Sequence, residues 1–160
     1  WQEVIVDLQA PDPCWFDAEA TTLPLAGLTG GAAFPIVFPC SFAVMGSTMA
    51  VQNAGDIAAP VRITIPGPCT NPVVENLTTG EQIALTLEVP AGQSVLIDTA
   101  YGNLLCRLVA SNGTQTNAMQ YLTPESTFWQ LQPGENIVTF SAPSGSVEVT
   151  IEYASRYTGV

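Results

Sequence analysis

The chain has 160 residues, 47 % of them hydrophobic and only 11 % charged, against roughly 25 % charged in a typical soluble domain. Lys plus Arg number 3 and Asp plus Glu 14, a formal net charge of −11. That balance argues against a nucleic-acid backbone or an anionic membrane surface as partner, since both call for clustered cations. No apolar run approaches the ~20 residues of a membrane-crossing helix.

The length predicts one domain with a substantial core. Residue 1 is Trp rather than Met, so a fragment or processed product with something before it is expected. Residues 1–10 lack the basic start and apolar centre of a signal peptide. The low charge fits either a surface covered by a partner or a β-rich domain that uses Thr, Ser, Asn and Gln as its polar face.

In chain order, Glu3 to Leu8 reads as a first strand. Pro11 and Pro13 stop any helix and hold the chain extended. Trp15 and Phe16 are expected to anchor it to the core. Thr22 to Leu25 reads as a short strand, Gly27 to Ala33 as a loop, and Phe34 to Pro39 as an irregular edge with prolines near both ends. Ser47 to Asn53 alternates, with Val61 to Ile65 its expected partner. Val73 to Asn76, Gln82 to Val89 and Ser94 to Thr99 follow, the last two joined by a turn over Val89 to Gln93.

Tyr101-Gly102-Asn103 and Asn112-Gly113 signal hairpins on either side of Leu104 to Ala110. Thr123-Pro124-Glu125-Ser126 reads as the start of one helical turn. Thr127-Phe128-Trp129 reads as a bulky core plug, and Leu131 to Asn136 as the turn before Ile137 to Ser141. Val147 to Tyr153 alternates most cleanly. Val147, Val149, Ile151 and Tyr153 face one way; Glu148, Thr150 and Glu152 face the other. About ten short strands separated by turn residues predict an all-β fold, an antiparallel two-sheet sandwich of jelly-roll type without an internal boundary.

Histidine is absent, so a Ser/His/Asp or Cys/His nucleophile lacks its base. The three cations are all Arg, so no Schiff base forms. Cys14, Cys40, Cys69 and Cys106 include no C-x-x-C pair. They read as buried thiols acting as small hydrophobes, with two disulfides or a four-cysteine zinc site as alternatives. Asp12, Asp17 and Glu19, or Glu148 and Glu152, are candidate carboxylate pairs for glycoside hydrolysis. Asp12, Asp17 and Asp56 are candidate calcium ligands without the usual loop spacing. A solvated acidic face explains all of them, and no cofactor or metal is expected. Asn76-Leu77-Thr78 and Asn112-Gly113-Thr114 match the glycosylation sequon. Tyr101, Trp129, Tyr121 and Trp15, with Tyr157, are candidate contacts for a sugar or a protein partner, since aromatics serve both.

Several segments together resemble a known family. They are Ala10-Pro11-Asp12-Pro13 with Trp15, Phe34 to Pro39, Asn53 to Asp56, Ile65 to Pro68 with Thr70 to Pro72, and Asn76 to Glu81. Ala91 to Gln93 with Ile97 to Thr99, Leu122 to Trp129, Leu131 to Asn136 and Tyr153 to Val160 complete the set. In this order and spacing the chain resembles the C-terminal domain of siphophage distal tail proteins, the minor tail proteins of actinobacterial phages. The resemblance implies a galectin-like β-sandwich without catalytic residues, and a virion component at the tail tip, made in the bacterial cytoplasm. It implies an N-terminal tail-tube-like domain before a junction at residues 10–13. That domain forms a hexameric ring, the baseplate hub for tail-tube, tail-tip and receptor-binding proteins. Only some members of the family bind host carbohydrate, which keeps a carbohydrate-binding module as the alternative. A reducing cytoplasm favours free thiols.

Overall fold

The computed structural model describes residues 4, 13–26, 45–143 and 147–159. Within them the strands are β1 (Cys14–Phe16), β2 (Thr21–Ala26), β3 (Met45–Asn53), β4 (Val61–Pro66), β5 (Cys69–Thr70), β6 (Val73–Asn76) and β7 (Glu81–Ala84). They continue with β8 (Glu88–Val89), β9 (Ser94–Asp98), β10 (Leu105–Val109), β11 (Gln115–Asn117), β12 (Gly134–Ala142), β13 (Glu148–Tyr153) and β14 (Arg156–Thr158). One 3-10 turn, Met119–Tyr121, is the helical element among the described residues.

Two antiparallel sheets make the sandwich. One has six strands in the order β11-β10-β9-β4-β13-β2, the other four in the order β3-β12-β6-β7. Alternation decides which residues meet between them. Leu23, Ile151, Ile63, Ile97 and Cys106 are successive cross-strand partners, forming one apolar row across the six-stranded sheet. Val51, Val74, Ile83, Val138 and Phe140 come from the four-stranded sheet and join the same buried cluster. Two small ladders, β1–β14 and β5–β8, flank the sheets.

Three asparagines tie the loops to this core. The Asn136 amide donates to the carbonyls of Gln132 (2.7 Å) and Gly134 (3.1 Å), and its oxygen accepts from the Gln132 N–H at 2.9 Å. Asn76 donates to that same Asn136 oxygen at 3.2 Å. Asn53 donates to the carbonyls of Ile57 and Leu131, both at 3.0 Å. A buried amide with all its partners in place holds a loop firmly, and leaving one unpaired costs ~1–3 kcal/mol. The exposed edge of β7 is covered by residues 122–127. The Ser126 hydroxyl bonds both the N–H and the carbonyl of Ala84, and the Thr127 N–H donates to Gln82 at 2.8 Å.

The all-β sandwich matches the sequence expectation, with several details corrected. The described residues alone hold 14 strands rather than about ten, because β1, β5, β8, β11 and β14 are ladders of two or three residues too short to show alternation. β3 pairs with β12, and β4 pairs with β13 and β9. The expected pairing of β3 with β4 fails because the two strands belong to opposite sheets. The stretch from Gln82 to Val89 is not one strand. At Leu85 it leaves β6 to bridge Leu122, and it then forms β8 against β5. Its turn at Pro90 to Gln93 forms, but β9 pairs with β4 and β10, not with β8. Thr123 to Ser126 is a tight turn closed by Ser126 N–H to Thr123 carbonyl at 3.0 Å, not a helical start. The expected elements at 3–8, 27–33 and 34–39 lie outside the described residues, apart from Val4.

Candidate functional site

The predicted contact aromatics divide sharply. Trp129 is 1 % exposed, and its Nε1–H donates to the Val74 carbonyl at 3.4 Å. It is the expected core plug and is out of reach of an outside ligand, which corrects its place among the contact candidates. Trp15 is 70 % exposed, so it does not anchor the chain to the core. The reason is local: β1 pairs with β14 alone, and Trp15 stands opposite Tyr157 on a two-stranded ribbon separate from both sheets. Phe16, also exposed, carries the Arg156 guanidinium 5.4 Å from its ring centre. Arg156 also donates to the Ala58 carbonyl and to the Cys14 sulfur, each at 3.4 Å. Its backbone packs on Gly55, where a Cβ would strike the Arg156 carbonyl oxygen. Arg156 thus fastens the ribbon to the segment from Gly55 to Ala58.

A second exposed region lies at the end of the six-stranded sheet. Tyr101 is 97 % exposed in the β9–β10 turn, and Tyr121 is 41 % exposed in the 3-10 turn. Leu104 and Met119, both exposed, line a hollow of ≈ 300 Å³ with Arg107 and Asn117. Sequence reasoning missed Phe16, Leu104 and Met119. Nothing in a strand or turn pattern tells whether an apolar residue faces inward at a sheet's end.

A third feature lies on the outer face of the six-stranded sheet. Glu152, Arg62 and Asp98 are successive cross-strand partners. Arg62 Nη2 donates to Asp98 Oδ2 at 3.2 Å, with side chains 54 % and 9 % exposed. The other Asp98 oxygen accepts the Ala100 N–H at 2.9 Å. These residues line an open hollow of ≈ 260 Å³ whose wall also includes Pro60 and Ala100. The alternation of Val61 to Ile65 points Arg62 outward, but Asp98 lies 36 positions away, and no spacing rule joins them.

The remaining sequence candidates are scattered. Asp17, Glu19 and Asp56 are exposed, Glu148 and Glu152 lie on the outer face of β13, and Asp12 falls outside the described residues. Among the described residues no group of three or more potential metal ligands comes together. Asn76 of the first sequon is buried and bonded to Asn136, so it is no glycan acceptor in the folded domain. Asn112 is exposed and accepts the Thr114 N–H as a turn residue.

Cys69 and Cys106 are buried free thiols. Burial pushes the Cys69 thiol up and Cys106 to about 11, which keeps both protonated and unreactive. Cys14 is half-buried beside Arg156, and Cys40 lies outside the described residues. Burial also raises Tyr153, whose hydroxyl donates to the Gln52 carbonyl at 2.7 Å.

Comparison with known proteins adds what the geometry alone does not. Residues 54–157 match the family described as siphovirus-type tail component, C-terminal domain. The chain belongs to this family. The match runs from the turn after β3 into β14, more than half of the chain and most of both sheets. A siphovirus-type tail component is a structural part of the virion tail and works in contact with other tail proteins. No curated protein gives a significant match, and neither does any solved structure.

Proposed function

We propose that this siphovirus tail component is a distal-tail, or baseplate-hub, subunit. In this reading the domain decorates a six-fold ring at the tail tip and docks receptor-binding or tip proteins. The family match over residues 54–157 carries the reading. The surface supports it. Apolar side chains stand exposed on the β1–β14 ribbon and around the 101–121 end, and a ring repeats each modest contact six times. All three cations are engaged within the domain, Arg62 with Asp98, Arg107 with Gln115 at 2.9 Å and Arg156 with Ala58. With 3 cations against 14 acids, contacts between such copies draw more on apolar surface than on ion pairs. The reading assigns the domain no reaction.

Electron microscopy of the untruncated chain from its native source tests this. Six-fold rings, or a label on this domain at the tip end of a tail, are the expected result. Monomers with no attachment to a particle would overturn it.

A further inference from the structure

We infer that the Trp15–Tyr157 face of the β1–β14 ribbon takes an arginine or lysine side chain of another tail protein, laid on the aromatics and paired with Asp17 and Asp56. The inference rests on the docking reading only for the source of that side chain. Three observations carry it.

The first is which side chains share the face. Trp15 and Tyr157 are directly opposite in the register, so they stand on one face with Cβ atoms about 5 Å apart. Phe16 and Arg156, the next pair, take the other face. Trp15 is 70 % exposed and Tyr157 half-buried. Gly159 packs against the indole N–H edge, where a Cβ would lie 2.8 Å from Nε1, so the ring is held by that edge. A cation over an aromatic face is attracted by the ring's quadrupole. The other face of the ribbon already makes such a contact, with the Arg156 guanidinium 5.4 Å from the Phe16 ring centre.

The second is the charge beside the rings. The Asp17 N–H donates to the Ser155 carbonyl at 3.2 Å, and the Asp56 N–H donates to the Arg156 carbonyl at 2.9 Å. These backbone bonds place both acids next to the strand that carries Tyr157, and both are exposed. Partial burial, a hydrogen bond to Asp17 and the charges of Asp17 and Asp56 raise the Tyr157 pKa, as expected of a hydroxyl beside carboxylates. An apolar partner would cover these acids unpaired, at a cost, and an acidic partner would be repelled. An arginine or lysine pairs with them while its guanidinium plane or its apolar stem lies on the rings.

The third is the supply of cations. The sequence holds three, all Arg, and each is engaged within its own domain, Arg62 with Asp98, Arg107 with Gln115 and Arg156 over Phe16. A second copy of this domain therefore has only committed cations to offer. A different tail protein is the source that remains.

Fluorescence anisotropy with the untruncated protein tests the contact. The probes are dye-labelled Gly-Arg-Gly-Arg-Gly and Gly-Lys-Gly-Lys-Gly, with a citrulline-for-arginine peptide as the uncharged control of the same shape. We expect saturable binding of a cationic peptide and none of the citrulline peptide. Trp15→Ala and Asp17→Asn each weaken binding about fivefold or more. Glu125→Gln, which removes one exposed acid from the segment over the β7 edge, leaves it nearly unchanged. Thermal melting verifies the fold of each variant. Binding that is unchanged in Trp15→Ala, or that falls as much in Glu125→Gln, would reduce the contact to attraction by net charge and overturn the inference. Equal binding of the citrulline peptide, or no binding of any peptide, would also overturn it, and this comparison needs no variant. Peptide binding by a protein that forms no rings would leave the contact standing while the hub reading fell; rings without peptide binding would do the reverse.

Discussion

Trp15 and Trp129 are the same residue in opposite settings. Trp129 follows the segment that closes the edge of β7, sits between the sheets and has its indole N–H satisfied by Val74. Trp15 lies on a two-stranded ribbon of three residue pairs, separate from both sheets. An isolated pair of strands buries too little to add much stability, so an aromatic there contributes little to folding and remains available for contact. The sandwich body carries the stability; the ribbon and the 101–121 end carry exposed apolar surface.

The largest break in that contrast is Trp129→Ala. Loss of a large buried side chain lowers stability by about 3–5 kcal/mol, read by chemical denaturation. A near-wild-type midpoint would show that the body does not depend on it. Next comes Gly55→Ala, where a methyl group meets the Arg156 carbonyl. Overpacking of this kind costs about 1–3 kcal/mol and also loosens the ribbon, visible as faster amide exchange in residues 156–158.

Cys106 gives a smaller effect that depends on pH. Burial pushes its folded pKa up to about 11, above the ordinary thiol value of 9.0. Below pH 9 the thiol is protonated in both states and its stability contribution is fully present. Between about 9 and 11 the unfolded chain ionises first, so stability falls as pH rises. Cys106→Ala flattens that alkaline slope in a pH series of melts; an unchanged slope would place its origin in Cys69 or Tyr153, which burial shifts the same way. Smallest is Trp15→Ala, which changes stability by less than about 0.5 kcal/mol yet weakens attachment to neighbouring tail proteins in a particle-binding assay. A large loss of stability would show that the ribbon belongs to the body after all.

The sequence exposed the strands that alternate and the turns that need special backbone. β4, β9 and β13 were readable because apolar residues recur at every second position in each. The β9–β10 and β10–β11 hairpins were readable because Gly102 and Gly113 take positive φ at those turns, 76° and 82°. The two-residue strands β5 and β8 were not, since a run of two has no period. The candidate site was legible only in part. The sequence singled out Tyr101, Tyr121 and Trp15, but it ranked Trp129 with them, because residue type alone does not report burial.

By itself the sequence determined the class of fold, the acidic and cation-poor surface and the resemblance to tail proteins. All three follow from local pattern, composition and ordered motifs. Only the tertiary structure decided which strands share a sheet, which aromatics face solvent, and that Arg62, Asp98 and Glu152 line one hollow. Alternation fixes the face a side chain takes but not the strand beside it, and strand partners distant in sequence are chosen by how the two sheets bury their apolar faces together.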